Sequence, residues 1–296
     1  MIAHTLRNVV KAKLAVNDSG TMEVSLGDEG GIAAIFLKFQ ATNGAGGSAS
    51  YGILPSITEI RVKMGGGRYP FRLSASDLYA INAIRDGRAE ELSEGAGAGA
   101  MQSVRLPIYF GADKQDRTHG IDLKANAGAT LEVDYTLVIS DADGFVTKSL
   151  RLDVDVLETK GFRRPAYRGM IETAVANIHT TKVADPVRVK LHDTGRMVGL
   201  YAYAYLSGTA DNALVSNIEL LAPGENKLIV DASFSDLQYR HRTLSGSILT
   251  SYASIWMAQG RTEDEILMTK MPQELELNLK ELAADGSVRI IEEVMR

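Results

Sequence analysis

Hydrophobic and polar residues alternate along much of the chain with a period of two. In the first half the alternation is clearest in TMEVSL, RVKM, VRLPIYF, TLEVDYTLVIS and SLRLDVDVLE, and in the second half in VRVKLH, LYAYAYL, IELLA, KLIVDA and ELELNLKEL. This period is typical of β-strands that bury one face and expose the other. Turns rich in Gly, Asn and Asp separate these segments, so the pattern predicts antiparallel sheets.

A short phrase occurs once in each half of the chain, as SASDL at 74–78 and as SFSDL at 233–237. Three other matches keep the same order in both halves: VSLGDEGGIAAIF with VKLHDTGRMVGLY, SITEI with SNIEL, and LEVDYTLVISDADG with LELNLKELAADG. In chain order the second member of each pair begins 165, 160, 159 and 144 residues after the first. Such a drift is expected when two copies of one fold differ in loop length. We therefore predict an internal duplication.

The repeated phrase predicts the start of a helix in each copy. Its Ser and Asp residues are favoured where free backbone N–H groups need a side-chain acceptor. Leu78 and Leu237 would then anchor the two helices in the core. A further short helix is predicted for IETAVANIHTTKV at 171–183, where it would open the second copy.

About eight strands and one helical insertion in each copy define the fold class. We predict an all-β protein made of two tandem eight-stranded antiparallel jelly-roll sandwiches with short helical insertions. The strand pattern lapses in LETKGFRRPAYRGM, so the expected domains are an N-terminal jelly roll over 1–160 and a C-terminal jelly roll over 161–296.

The composition argues against several classes of function. The 296 residues carry a net charge of −5 and no long basic run, which argues against direct nucleic-acid binding. No cysteine is present, so disulfides and thiolate sites are excluded. The opening MIAHTLRNVVKAKLAV lacks the apolar run of a secretory signal, and no stretch of 18 apolar residues occurs.

Two passages resemble a known family. The segment ITEIRVKMGGGRYPFRLSASDLYAIN resembles the strand–turn–helix passage of the double jelly-roll major capsid proteins of tailless, membrane-containing icosahedral bacteriophages of the corticovirus type. The segment GFRRPAYRGM…TTKVADPVRVKL resembles the link between their two barrels. The resemblance implies a structural protein of the virion, without catalytic activity or cofactor.

The same resemblance implies the partners. Homotrimers would form pseudo-hexameric capsomers of an icosahedral capsid over an internal membrane. They would contact neighbouring capsomers, vertex (penton) proteins and minor capsid proteins, but not nucleic acid. This assembly gives a physical reason to fuse two sandwiches in one chain, because three chains then present six similar units around one axis.

Acidic turns are the only candidates for a metal site. Asp28, Glu29 and Asp193 lie in one matched turn, and Asp141 and Asp143 lie in another. Carboxylates suit calcium, but Asp and Gly are also the ordinary residues of hairpin turns, which is the interpretation that we favour. None of the five histidines has the i, i+4 spacing of a helical metal site: His4, His119, His179, His192 and His241.

Two segments leave alternatives open. Tyr201, Tyr203 and Tyr205 share one face of a strand and would serve either as a sugar-stacking platform or, as we expect, as packing inside the sandwich. The N-terminal LRNVVKAKL would be an amphipathic foot on an anionic membrane, an arm on a neighbouring subunit, or the first strand. YRHR at 239–242 would either bind an acidic neighbour in the assembly or, as we expect, form a solvated surface.

Two other functions compete with a capsid role. One is a secreted carbohydrate-binding protein of two β-sandwich modules, which would use the tyrosine row. The absent signal peptide argues against it. The other is an enzyme on a β-sandwich scaffold, but no catalytic constellation with a recognisable motif is present.

Overall fold

The structure is a computed structural model that describes residues 4–46, 51–86, 90–95, 97–111, 116, 119–140, 144–159, 168–177, 187–191, 196–206, 209–222, 227–245, 252–256, 276–281 and 286–295. Its chain divides into two compact units. The first contains Met1–Ala83 and Ala89–Arg168, and the second contains Ile84–Arg88 and Gly169–Arg296.

The first unit is a sandwich of two sheets. Along the chain its elements are β1 (His4–Leu14), β2 (Ser19–Gly27), β3 (Gly31–Thr42), α1 (Ile53–Ser56), β4 (Glu59–Lys63), β5 (Phe71–Leu73), α2 (Ala75–Asp86), β6 (Leu92–Glu94), β7 (Met101–Tyr109), β8 (Ile121–Asp122), β9 (Ala129–Thr136) and β10 (Arg151–Thr159). One sheet has the order β1-β10-β3-β7-β6, with β8 beside β3. The other has the order β5-β4-β9-β2.

Alternation along the strands builds the core of this unit. On β10, Leu152, Val154 and Val156 are buried, whereas Asp153 and Asp155 between them face outward. Each fully buried side chain of this size contributes about 1.5–3 kcal/mol through removal of apolar surface from water. The period-2 pattern in the sequence is therefore the direct cause of the two-layer arrangement.

The second unit has its own pair of sheets. Its strands and helix are β11 (Arg168–Asn177), β12 (Val187–Lys190), β13 (Arg196–Leu206), β14 (Thr209–Ala210), β15 (Val215–Ala222), β16 (Lys227–Ser233), α3 (Phe234–Ser245), β17 (Tyr252–Trp256), β18 (Glu276–Glu281) and β19 (Gly286–Met295). Within this unit one sheet has the order β14-β13-β19-β11, with β17 also beside β13. The other has the order β12-β18-β15-β16.

The two units share one topology. When the eight principal described strands of each unit are counted along the chain, the first sheet has the order 1-8-3-6 and the second has the order 2-7-4-5. Here β1, β2, β3, β4, β5, β7, β9 and β10 correspond to β11, β12, β13, β15, β16, β17, β18 and β19. The predicted fold class of two tandem jelly-roll sandwiches is confirmed.

The four sequence matches lie on equivalent elements. VSLGDEGGIAAIF and VKLHDTGRMVGLY run from the second strand into the third, while SITEI and SNIEL enter the fourth. The two SxSDL phrases start α2 and α3, and the last match covers β9 and β18. Each pair of sequence matches therefore lies on equivalent elements of the two units, as a duplication predicts and chance similarity does not.

Each repeated phrase caps its helix through its first serine. The Asp77 N–H donates to Ser74 Oγ at 3.1 Å, and the Asp236 N–H donates to Ser233 Oγ at 3.0 Å. This satisfies one of the backbone donors that a helix start leaves unpaired. Leu78 and Leu237 are 1 % and 2 % exposed, so both face the core as predicted.

One expectation needs correction at the strand level, and one set of open alternatives is decided. The helix predicted from residue 171 is wrong, because Arg168–Asn177 form β11; the rest of that segment, 178–183, lies outside the described residues. The N-terminal segment is not a helical foot, because β1 pairs with β10 over its length. Of its three alternatives, the first strand is the one observed. No described helix is long and apolar enough to cross a membrane.

Candidate functional site

The acidic turns do not assemble a cation site among the described residues. The Asp28 carboxylate accepts the Gly128 N–H at 2.9 Å, which is a turn-stabilising contact. No group of three or more His, Asp or Glu side chains with metal-binding geometry occurs in the described ranges. Asp141, Asp143 and Asp193 lie outside those ranges, so their metal assignment stays untested.

One histidine has a specific carboxylate partner. His119 is buried, and its Nδ1 lies 2.7 Å from Asp116 Oδ2 in the connection between β7 and β8. His179 and His192 lie outside the described residues. The described histidine contact joins two parts of one loop, which is a structural arrangement.

The tyrosine row lies on the outer face of its sheet, not inside the sandwich as expected. Ala202 and Ala204 of β13 belong to the core cluster, which places the alternate tyrosines on the opposite face. Cross-strand packing does occur there, because the Tyr203 and Tyr252 ring centroids are 4.5 Å apart. Tyr201 is buried and donates a hydrogen bond to Glu293 Oε2 at 2.6 Å.

This cluster is poorly suited to stacking on a sugar. The Tyr203 and Tyr205 rings stack on each other with centroids 5.4 Å apart. The Arg289 guanidinium lies over both rings, 5.1 and 5.9 Å from their centroids. A cation in this position gains from the negative ring face and occupies the surface that a sugar would need. We define Tyr203, Tyr205, Tyr252 and Arg289 as the aromatic–arginine cluster.

The outer face of the β5-β4-β9-β2 sheet is covered by an ion-pair network. Arg61 on β4 pairs with Glu59, with Asp134 at 2.6 Å and with Glu132 at 3.1 Å. Around this centre, Arg72 pairs with Glu59, and Lys63 lies 3.4 Å from Glu132. Opposite charges on neighbouring strands stabilise such a face pair by pair.

The pKa of Arg61 shows how strongly this network holds its cation. Burial acts to lower the pKa of the guanidinium, but hydrogen bonds to Glu59 and Asp134 outweigh burial and raise it above its ordinary value. The charges of this face are thus largely satisfied within the sheet. Such a face needs no partner to compensate them.

The outer face of the other sheet in the first unit is different, because it contains a half-open groove of about 700 Å³. Its apolar wall includes Phe36 and Tyr109, whose rings meet edge to face at 6.1 Å. Lys11 and Lys38 border it, and no described side chain forms a hydrogen bond or ion pair with either ammonium group. Asp153 and Asp155 complete the rim, where they accept from the Ala12 N–H and Asn8.

Equivalent register positions in the two units carry different chemistry. Lys38 of β3 stands opposite Asp153 of β10 and Arg105 of β7. Tyr203, 165 residues later on β13, stands opposite Arg289 of β19 and Tyr252 of β17. One unit therefore presents a charged row with a groove at the position where the other presents the aromatic–arginine cluster.

Sequence reasoning missed the groove and the ion-pair network. The charged residues of β4 and β9 were visible as the polar half of the alternation, but their pairing depends on strand order and register. LYAYAYL did signal the aromatic row, although not the face on which it lies. Period-2 patterning separates two faces without telling which of them is inside when both are apolar.

Comparisons with known proteins give the same fold. No protein-family model matches the sequence, and no curated protein matches it. Among solved structures, the STIV major capsid protein is similar with a TM-score of 0.72 and 9 % identity over 98 % of this chain and 96 % of that chain. The major capsid protein P2 from Bacteriophage PM2 is similar with a TM-score of 0.60 and 15 % identity over 98 % and 97 %. The chain has the double jelly-roll fold.

A third solved structure has the same fold over nearly the whole chain. A chain of the quasi-atomic model of the PBCV-1 virus capsid is similar with a TM-score of 0.64 and 10 % identity, over 100 % of this chain and 94 % of that chain. The near-complete coverage shows that both sandwiches of the double jelly-roll fold are matched together.

Proposed function

We propose that this chain is the major capsid protein of a tailless icosahedral virus. The observation that supports this function best is the tandem topology, in which two sandwiches of identical strand order occur in one chain. Solved proteins with the same full-length fold include major capsid proteins from several viruses. The role is structural and non-catalytic, and its place is the capsid shell of the virion.

The assembly unit in this proposal is a homotrimer. Three chains place six similar sandwiches around a threefold axis and so imitate a six-sided block. Obligate interfaces of this kind bury about 2,000–5,000 Å² and need surfaces beyond the two cores. The groove and the aromatic–arginine cluster are outward features of suitable composition, because aromatic residues and arginine are enriched at interface centres.

The remaining partners belong to the same proposal. Capsomers would contact one another, vertex (penton) proteins and minor capsid proteins, and the shell would enclose an internal membrane without direct contact to nucleic acid. Because residues 4–14 form β1, we assign the membrane no amphipathic helix in this segment. We keep the domain division near residue 160 as part of the proposal, with sandwiches over 1–160 and 161–296.

A carbohydrate-binding function is not favoured. Its platform would be the tyrosine row, in which Tyr201 is buried and Arg289 covers the two rings that follow. A solution assay separates the two functions: a capsid subunit shows no saturable glycan binding, whereas a two-module lectin binds glycans as a monomer.

Electron microscopy of the purified protein tests the capsid proposal. We expect class averages with a six-sided outline and threefold symmetry, and sheet-like or shell-like arrays at high protein concentration. Single small particles of two lobes without threefold classes at every concentration would contradict the proposal.

A further inference from the structure

Among the described strands, the long strands β1, β2 and β16 stand at open ends of their sheets, and of these β1 and β16 expose a leucine. β1 pairs only with β10, and β16 pairs only with β15. One side of each strand therefore carries backbone N–H and C=O groups without a ladder partner in the described chain. Such edges readily accept another strand, and isolated proteins normally protect them.

Both edges expose a leucine. Leu6 on β1 is 62 % exposed, and Leu228 on β16 is 49 % exposed. Neither strand contains proline, and the outward position beside Leu228 is the half-buried Leu221 of β15. An apolar side chain next to an open ladder favours strand addition over exposure to water.

The regular part of β1 defines where a strand could be added. His4 to Asn8 pair with Thr159 to Asp155 without interruption, and the register shifts only between Asn8 and Lys13. Ala12 in this irregular part has a positive φ of 60°. The five residues before the bulge thus form an uninterrupted ladder around Leu6.

Each edge exposes a charged side chain, and these two charges have opposite signs. β1 contains Arg7, Lys11 and Lys13 and no acidic residue; Arg7 pairs with Glu158 of β10, and Lys11 is exposed. β16 contains Lys227 and Asp231, and Asp231 is exposed and accepts a hydrogen bond from Asn217 Nδ2 at 2.6 Å. An exposed cation at one edge and an exposed carboxylate at the other are complementary across a contact between copies.

We propose that in the assembled oligomer the β16 edge of one copy adds to the β1 edge of the next copy. The occupant of the β1 edge is thus a second copy of this chain. The contact joins two different surfaces, so it is heterologous and a ring of three copies closes it. This inference rests on the proposed function, because it assigns the subunit contact of the proposed trimer.

The test uses the absence of cysteine in the natural chain. Leu6→Cys and Leu228→Cys are placed in separate copies, one of them with a size tag, and the two are co-expressed and treated with a short bismaleimide. We expect a covalent product of one tagged and one untagged copy. Neither variant expressed alone forms it, and the matched pair Lys124→Cys with Leu228→Cys does not form it either, since Lys124 lies in the exposed turn after β8, which β3 and β10 separate from β1 in the sheet.

A charge exchange provides the second arm. Lys11→Glu and Asp231→Lys each reduce the trimer association constant at least about tenfold, because each juxtaposes like charges. Combining both changes restores most of the loss, whereas Lys124→Glu leaves the constant unchanged. Recovery in the double variant excludes a mere folding defect.

The outcomes separate this inference from the function on which it rests. A trimer that gives no Leu6–Leu228 product above the Lys124 control, and no recovery in the double variant, overturns the edge contact and leaves the capsid proposal intact. A protein that stays monomeric under all conditions overturns both.

Discussion

The two sandwiches are alike inside and different outside. Their strand order, their capped helices and their inward leucines correspond position by position. On the outer faces the correspondence ends, because Lys38 of the first unit is matched by Tyr203 of the second, and Arg61 by Leu221. Only the inward half of the period-2 pattern is therefore needed to keep the fold.

This division has a physical cause. An inward substitution changes packing at a density that leaves little free space, so it is costly in either copy. An outward substitution changes mainly solvation and partner choice, and it costs the fold less than an inward one. Two duplicated sandwiches can therefore acquire different partners while retaining one topology.

The largest expected effect concerns the inward anchors of the two helices. Leu78→Asp and Leu237→Asp each bury a charge without a partner and prevent recovery of folded protein. Leu78→Ala and Leu237→Ala are milder and lower the free energy of unfolding by about 2–5 kcal/mol each. Chemical denaturation followed by circular dichroism measures both. Tyr239→Asp, on the exposed side of α3, is the matched control and leaves stability nearly unchanged.

The second prediction distinguishes the outer faces of the two units by the salt dependence of their stability losses. Arg61→Ala leaves Glu59, Glu132 and Asp134 together without their central cation, at a site only 19 % exposed. We expect a loss of about 1–3 kcal/mol that shrinks in 1 M salt, because salt screens the remaining repulsion. Leu221→Ala at the equivalent position loses stability through packing, so its loss does not shrink with salt. If salt changes the stability loss of both variants equally, the contrast between the two outer faces is wrong.

The third effect tests the equivalence of the helix starts. Ser74→Ala and Ser233→Ala each remove the side-chain acceptor of the N–H three residues later, at a cost of about 1 kcal/mol. Thermal unfolding of the two variants should give similar shifts, and Ser→Asp at either position should retain most of the stability. A shift of the unfolding temperature in only one of the two variants would contradict the equivalence of the two helix starts.

The smallest effect is a pH dependence in the first unit. Burial raises the pKa of the Tyr79 phenol above its ordinary value of 10, with further contributions from the Glu94 and Glu90 carboxylates. The folded protein therefore keeps this proton longer than the unfolded chain, so the associated stability is complete below pH 10 and declines as the pH rises above it. At the equivalent position α3 has Gln238, which bonds to Asn212. Above pH 10 the free energy of unfolding of Tyr79→Phe should fall less steeply with rising pH than that of the natural protein. Gln238→Ala should leave the slope of the natural protein unchanged.

The sequence predicted the fold well where local pattern determines structure. Alternation located most strands, and the SxSDL phrase located both helix starts through their capping chemistry. It failed at β11, where ETAVAN contains alanines compatible with a helix and only pairing within a sheet selects the strand. β19 was also missed, because the buried Glu292 and Glu293 interrupt its apolar pattern.

The candidate site was harder to predict than the fold. The ion-pair network and the groove arise from residues on strands that are distant along the chain, as in the row of Asp153, Lys38 and Arg105. Register decides such rows, and register is set by the whole sheet rather than by any single segment. The tyrosine row was identified, but its face required knowledge of which side the core occupies.

If two duplicated sandwiches allow three chains to act as one six-sided block, the purified chain is a trimer in solution. Sedimentation equilibrium over a wide range of protein concentrations should give three times the chain mass of 32.0 kDa. A mass of 32.0 kDa throughout that range would contradict the account.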